Sequence, residues 1–187
     1  MDTLLEGAGF FVYPLGLCSL LAVFIIVERL LALSRNRVVP QVLANSFLTG
    51  EIETIEVDSR SVAGRIVGFF RKNRPDPARL KAYVQLEITH MERGFFILEI
   101  VIAAAPLLGL LGTVTGLIQV FGDLSTGLPD PEVMIEGISL ALTTTLLGLS
   151  IAIPALVGNA YLGRRVETLA AQINVGAERL IDLSKNQ

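Results

Sequence analysis

The sequence has 187 residues, of which 52% are hydrophobic, and its mean hydropathy is +0.62. This composition is too apolar for a water-soluble domain of this size and predicts segments that face lipid. A net charge of −3 offers no basic excess for nucleic acid, and a single cysteine excludes an intramolecular disulfide and multi-cysteine metal motifs.

Three charge-free runs are long enough to cross a bilayer as helices. They contain 18, 23 and 27 residues and cover Phe10–Val27, Ile100–Gly122 and Gly137–Gly163. A helix needs about 20 apolar residues to cross a hydrocarbon core of roughly 30 Å. Continuous runs of this length are unlike the short alternating segments of a membrane β-barrel. The sequence therefore predicts an all-α protein with three transmembrane helices.

The predicted organisation has seven parts. They are a short periplasmic leader at 1–9, transmembrane helix 1 at 10–33, a cytoplasmic helical loop at 34–95, transmembrane helix 2 at 96–122, a periplasmic loop at 123–135, transmembrane helix 3 at 136–163 and a cytoplasmic C-terminal helix at 164–187.

The basic residues set the expected orientation. Eleven of the fifteen Lys and Arg residues lie between Arg29 and Arg93, the other four follow the third run, and residues 1–9 and 123–136 contain none. Because cytoplasmic loops carry the excess of basic residues, we expect an outside N-terminus and a cytoplasmic C-terminus. The lack of basic residues before the first run also favours a retained helix over a cleaved signal peptide.

Long helical extensions are expected on the cytoplasmic side. Residues 38–50 and 62–72 have helical spacing of apolar residues, with acidic residues between the two segments. A further helix is predicted to begin near Pro77 or Ala78 and to continue without a break into the second span. The tail after Gly163 repeats apolar residues every 3.6 positions, which predicts that it extends the third span.

Motifs for enzymatic chemistry are missing from the sequence. It contains no phosphate loop, HExxH or GxSxG pattern, and one histidine, His90. No ionisable residue lies between Ile100 and Gly122 or between Gly137 and Gly163. We expect no enzyme, no cofactor and no metal site. If charge moves through the chain, another subunit must supply the titratable group.

Small residues line one face of each of the last two spans, at steps of three and four. They are Ala105, Gly109, Gly112 and Gly116 in the second run and Gly137, Ala141, Thr145, Gly148, Ala152, Ala155 and Asn159 in the third. Such faces allow helix backbones to approach closely.

Two threonines border these faces near the middle of the membrane. Thr113 lies ten residues from Asp123 and Thr145 nine residues from Glu136, which places both hydroxyls about 14 Å from the outer boundary. Two interpretations stay open from spacing alone. The hydroxyls line a polar path, or each hydroxyl bonds a carbonyl of its own helix.

The same residues resemble a known family. Residues 105–116 read APLLGLLGTVTG, residues 137–149 read GISLALTTTLLGL, and residues 152–155 read AIPA. These stretches resemble the signatures of spans two and three in the ExbB/TolQ/MotA proton-channel family, and Glu28-Arg29 at the end of span one also fits. Three spans favour the ExbB/TolQ branch over the four-span MotA branch.

The resemblance implies a mechanism and partners. It implies a pentameric ring in the bacterial inner membrane, around single-span helices of an ExbD- or TolR-like partner whose aspartate binds the proton. Thr113 and Thr145 match the two family threonines that face this aspartate. The output would be work on a TonB- or TolA-like protein. The matched motifs also add Pro106 and Pro154 to the expected helix-packing and lumen-facing residues.

One departure from the family pattern bears on this assignment. Leu140 stands where ExbB proteins often carry a glutamate, five positions before the third-span threonine, so no role of that glutamate transfers to this chain. Two alternatives remain, a non-conducting scaffold for a partner helix and a sodium-driven stator subunit.

Overall fold

The structure, a computed structural model, describes residues 9–34, 38–40, 60–122 and 131–185. A 3-10 turn at Gly9–Phe11 leads into the first of five α-helices. They are α1 (Val12–Ala32), α2 (Val62–Asn73), α3 (Pro77–Met91), α4 (Phe95–Gly122) and α5 (Pro131–Lys185). These described residues form no strand. The predictions made for residues 1–8, 35–37, 41–59, 123–130 and 186–187 lie outside the described residues.

Three helical stretches are long and apolar enough to cross a membrane, within the part of the chain that is described. They are Gly9–Ala32, Pro77–Gly122 and Pro131–Leu183. Large apolar side chains such as Phe24, Leu110 and Leu156 are exposed along them. A water-soluble protein rarely exposes so much apolar surface, whereas a membrane helix presents it to lipid or to another helix. The predicted all-α class with three membrane-spanning helices is thereby confirmed.

The chain divides into two compact units. Unit 1 consists of Met1–Ile26 and Gly94–Ala160, and unit 2 of Val27–Arg93 and Tyr161–Gln187. In unit 1, one residue from each long helix forms a buried apolar cluster: Leu15 of α1, Ala105 of α4 and Ala152 of α5. Partly buried side chains pack around it, namely Phe11, Cys18, Leu108, Leu147 and Ile151. The small alanine side chains leave room for the larger leucine where the three helices meet.

Unit 2 contains a helical hairpin made by α2 and α3. The hydroxyl of Ser61 accepts a hydrogen bond from the backbone N–H of Gly64 at 3.0 Å and caps the start of α2. The helix ends at Arg74, which has a φ of 39° and whose N–H donates to the carbonyl of Phe70. Pro77 then starts α3, where its missing N–H costs nothing.

An ion pair between the half-exposed Arg65 and the buried Glu87 joins the two helices of this hairpin. Arg65 donates two hydrogen bonds to the carboxylate of Glu87, from Nε to Oε1 at 3.0 Å and from Nη2 to Oε2 at 2.6 Å. The Tyr83 hydroxyl donates to the same Oε1 at 3.0 Å. The ring of Tyr83 stacks on Phe69, with centroids 4.2 Å apart. Sequence analysis missed this cluster. In it, the buried carboxylate of Glu87 accepts two hydrogen bonds from one guanidinium group and a third from the Tyr83 hydroxyl.

The C-terminal part of α5, which belongs to unit 2, follows the predicted 3.6-residue period. Its buried stripe consists of Leu162, Val166, Leu169, Ile173, Ala177 and Leu180. Arg165 adds a polar tie within unit 2, because its Nε donates to the carbonyl of Leu33 at 2.8 Å. The helix continues to Lys185 without interruption, as the sequence predicts.

The predicted continuous helix from Pro77 into the second span is wrong. A turn at residues 92–94 separates α3 from α4. The N–H groups of Glu92 and Arg93 bond carbonyls three residues back, and Gly94 has a φ of 93°. A right-handed helix cannot pass through that conformation, and glycine adopts it readily.

The Glu87 carboxylate should make the stability of unit 2 depend on pH. The hydrogen bonds from Arg65 hold the pKa of Glu87 below its usual value, against the opposing effect of burial. A depressed pKa contributes stability that is present above the unfolded-state pKa and is lost as pH falls through the folded-state pKa. Glu87→Gln should therefore lower the free energy of unfolding by about 1–3 kcal/mol near pH 7. In this variant the free energy of unfolding should also fall less steeply than in the wild type as the pH is lowered.

Denaturant unfolding of the detergent-purified chain at neutral and acid pH measures this effect. Glu92→Gln is the matched control, because Glu92 is exposed and its replacement should leave the wild-type pH profile unchanged. Equal acid sensitivity in wild type and Glu87→Gln would refute the assignment.

Candidate functional site

The backbones of α4 and α5 touch along a seam of glycines in unit 1. A Cβ atom added at Gly109 would lie 2.8 Å from the carbonyl oxygen of Thr144 and 3.1 Å from Cα of Thr145. One added at Gly112 would overlap the side chain of Thr144. Both distances are shorter than ordinary carbon contacts, so only glycine fits at these positions without displacement.

Reciprocal contacts extend the seam in both directions. A Cβ at Gly137 would lie 2.6 Å from the carbonyl oxygen of Gly116, and one at Gly148 would lie 2.5 Å from the carbonyl oxygen of Ala105. The helices therefore run antiparallel, with Gly116 opposite Gly137 and Ala105 opposite Gly148. Five glycines and an alanine remove the bulk that would otherwise separate the two backbones: Gly109, Gly112, Gly116, Gly137, Gly148 and Ala105.

Thr144 is the polar residue at the centre of the seam. It is fully buried, and its hydroxyl lies 2.7 Å from the carbonyl oxygen of Leu140 and 3.3 Å from that of Gly109. Sequence analysis did not select Thr144. Its spacing of three from Ala141 and four from Gly148 was the available signal, but Thr145 satisfies the same steps in reverse order.

The two predicted threonines are each half-buried within the subunit. The Thr113 hydroxyl donates to the carbonyl of Leu110 at 2.7 Å, within its own helix. The Thr145 hydroxyl lies 3.4 Å from the carbonyl oxygen of Gly109, across the seam. Both hydroxyls thus have a local acceptor, and both side chains keep a surface that a neighbouring helix can contact.

Thr113 and Thr145 are not level in the membrane, in contrast to the predicted equal depth. Thr145 lies beside Gly109, which is four residues, or about 6 Å, from Thr113 along α4. The difference arises because α5 begins at Pro131, before the predicted start of the span at residue 136. Counting from that boundary therefore misplaced Thr145.

The other predicted residues occupy different environments. Ala105, Ala141 and Ala152 are buried in the subunit. Pro106 is half-buried and Pro154 is exposed. The side chain of Asn159 is partly buried, and its Oδ1 atom has no hydrogen-bond partner among the described residues.

The spans offer oxygen atoms but no proton-binding group at this level. Within the described residues, 100–122 and 137–160 carry no Asp, Glu, Lys, Arg or His, and no group of side chains suits a metal ion. Pro106 and Pro154 have no N–H, so the carbonyls of Ile102 and Ser150 lack their usual helical donors. Such a site can accept and orient hydrogen bonds, but it cannot itself ionise.

Gly112→Ala should weaken the seam, because its new methyl group overlaps Thr144. Overpacking of this kind typically costs about 1–3 kcal/mol. Denaturant unfolding in detergent measures the loss, and Gly16→Ala is the control because a Cβ there meets nothing within 4 Å. Adding Thr144→Ala should recover part of the loss, since it removes Oγ1 and Cγ2, two of the three Thr144 atoms that the new methyl group meets, and leaves the Cβ atom in place. Equal stability of the two single-glycine variants would contradict the seam.

Comparison with known proteins identifies relatives that match between 51% and 84% of this chain. A biopolymer transport protein of Synechocystis named ExbB-like 1 is 36% identical over 173 residues, which is 83% of this chain and 67% of that protein. The biopolymer transport protein exbB1 of Vibrio cholerae is 30% identical over 84% of this chain and 77% of its own length. ExbB of Helicobacter pylori strain J99 is 35% identical over 51% of this chain and 68% of its own.

The family assignment rests on a sequence profile together with these relatives. The sequence profile of the MotA/TolQ/ExbB proton channel family matches residues 46–175, which include α2 to α4, the glycine seam and most of α5. With its three membrane-spanning helices and its ExbB-named relatives, the chain belongs to the MotA/TolQ/ExbB proton channel family and is ExbB-like.

Proposed function

We propose that this chain is the membrane subunit of a proton-driven energy transducer, in which an ExbD- or TolR-like partner supplies the proton-binding aspartate. The observation that carries the proposal is that the seam has hydroxyl groups beside it but no ionisable group. Hydroxyl oxygens of Thr113 and Thr145 lie within the spans, whereas residues 100–122 and the described residues 137–160 contain no ionisable side chain. Proton transfer at physiological pH needs a group that changes its protonation state, so a second chain must provide it.

The three seam threonines have different parts in this proposal. Thr144 is sealed between α4 and α5 and fixes their separation. Thr113 and Thr145 remain partly exposed, so a partner helix can approach them. A hydroxyl can accept a hydrogen bond from a protonated carboxyl group and can donate one to the carboxylate. The two threonines would thus orient the partner's aspartate in both protonation states.

We propose the assembly by resemblance to the family. Five copies would surround the partner helices in the bacterial inner membrane, with the N-terminus in the periplasm and the C-terminus in the cytoplasm. Exposed apolar side chains on all three long helices supply the surface for neighbouring copies and lipid. Proton passage would turn the ring against the partner and drive a TonB- or TolA-like protein. The relatives' names as biopolymer transport proteins support an output of this kind.

Replacement of both Thr113 and Thr145 should reduce proton flux without unfolding the complex. Thr113→Val plus Thr145→Val keeps the side-chain shape and removes both hydroxyls. Flux into vesicles containing the chain and its partner should fall by at least about tenfold, which is less than the roughly 10²–10⁴-fold typical for loss of the proton-transfer group itself, because the hydroxyls only orient that group. Thr115→Val is the matched control, because it removes a hydroxyl that also bonds its own helix, at 2.9 Å, but lies about 200° around α4 from Thr113.

The same vesicles separate the alternatives. Wild-type flux in the double variant would contradict the threonine roles. Current that follows a sodium gradient rather than a pH gradient would support a sodium-driven stator. Absence of flux with the partner present would support a non-conducting scaffold.

A further inference from the structure

A cleft in unit 2 has no part in the seam or in the proposed proton path. Its volume is about 310 Å³, which lies within the range of small-ligand sites, roughly 300–1,000 Å³. Six side chains of α5 line it, at steps of three and four that place them on one side of the helix. They are Tyr161, Arg164, Arg165, Thr168, Leu169 and Gln172. Two of these side chains are cationic and none is acidic.

The cleft lies where two apolar segments end. The charge-free run of the third span ends at Gly163, and α1 ends at Ala32. Within unit 2 these two ends meet, because Nε of Arg165 donates to the carbonyl of Leu33 at 2.8 Å. The side chain of Leu31, in the last turn of α1, is exposed. A cleft at the ends of two membrane-spanning helices lies at the level of the phospholipid headgroups.

Arg165 is held at the cleft by two hydrogen bonds. Besides the bond to Leu33, its Nη1 donates to the Tyr161 hydroxyl at 3.1 Å. Nη2 of Arg165 has no partner among the described residues. Since the Tyr161 oxygen accepts this bond, the phenolic proton is available to a further acceptor. Arg165 and Tyr161 therefore present adjacent N–H and O–H donors, and little side-chain freedom is lost when a ligand binds them.

Arg164 adds a second cation beside the first. Its Nη1 donates to Glu167 at 3.1 Å, and both side chains of this ion pair are exposed, so water screens their attraction. Nε and Nη2 of Arg164 have no partner among the residues that the structure describes. Guanidinium groups bind phosphate oxygens through paired N–H donors. The cleft thus has the donors and the charge that a phosphate group requires.

We propose that this cleft binds the phosphate group of an anionic phospholipid. Arg164 and Arg165 bind the phosphate oxygens, Tyr161 donates a further hydrogen bond, and the acyl chains lie against the exposed apolar side chains in the last turn of α1. A zwitterionic phospholipid fits less well, because its ammonium group would lie near two guanidinium groups. The level of the cleft favours a lipid over free phosphate. The proposal goes beyond the proposed function and does not depend on proton flux.

Titration of the detergent-purified chain with dioctanoyl phosphatidylglycerol, followed by native mass spectrometry, measures this binding. Dioctanoyl phosphatidylcholine and inorganic phosphate are the comparison ligands, and both should bind more weakly. Arg164→Gln should weaken phosphatidylglycerol binding about fivefold, the contribution of one basic residue near an anionic lipid surface. Arg179→Gln is the matched control and should have no effect, because Arg179 is an exposed arginine of the same helix about 22 Å from Arg164.

Tyr161→Phe separates a built site from a general attraction between charges. The change keeps the aromatic ring and the net charge and removes only the hydroxyl. It should weaken phosphatidylglycerol binding about threefold, near the lower range for the loss of one hydrogen bond. Circular dichroism of each variant should show the helical content of the wild type.

The outcomes distinguish the possible ligands. Equal affinity for phosphatidylcholine and phosphatidylglycerol would overturn the proposal, because the charge of the lipid would then have no effect. Equal losses in Arg164→Gln and Arg179→Gln, with Tyr161→Phe unchanged, would also overturn it, because a general attraction to basic residues would then explain the binding. Inorganic phosphate that binds as tightly as phosphatidylglycerol would assign the cleft to a soluble anion instead of a lipid.

Discussion

The direct contact between the backbones of α4 and α5 is the constraint on which unit 1 depends. At Gly109, Gly112 and Gly116 there is no room for a Cβ atom, because the facing positions are occupied by backbone atoms or by Thr144. Within lipid, apolar side chains gain little by packing on each other rather than on acyl chains. Close contact, dispersion and short polar contacts must therefore hold the helices together, and glycine is the residue that permits all three.

The seam also explains why neighbouring threonines have separate tasks. The rotation of α5 about its own axis turns Thr144 toward α4. There the Thr144 hydroxyl lies within hydrogen-bond distance of carbonyl oxygens of both helices. The same rotation leaves Thr145 at the margin, half-buried and still accessible to another chain. The pair of helices α4 and α5 thus combines a tight contact between backbones with hydroxyl groups at its margin, although the spans lack ionisable residues at the level of these threonines. It offers oriented oxygen atoms, and in the proposed function the charge change belongs to a partner chain.

The sequence predicted the features that depend on composition and periodicity. Charge-free runs located the three spans, and the 3.6-residue period located the buried stripe of α5. Features that depend on one dihedral angle or on a distant contact were not predictable. The helix break follows from the φ of 93° at Gly94, and Glu87 meets Arg65 22 residues away. Thr144 and Thr145 satisfied the same spacing, so only the rotation of α5 could separate them. The relative levels of Thr113 and Thr145 depended on where α5 begins, and the depth of Thr145 was counted from Glu136 although Glu132 already lies in the first turn of α5.

The requirement for a partner carboxylate is tested most directly by comparing proton flux in vesicles that contain the chain alone, the chain with its single-span partner, and the chain with a partner whose membrane aspartate is changed to asparagine. All three preparations need equal amounts of the chain and the same pH gradient. The predicted result is flux in the second preparation only, because the spans of this chain carry no group that binds a proton at the level of Thr113 and Thr145. Proton flux through the chain alone, equal to that of the complex, would contradict this account.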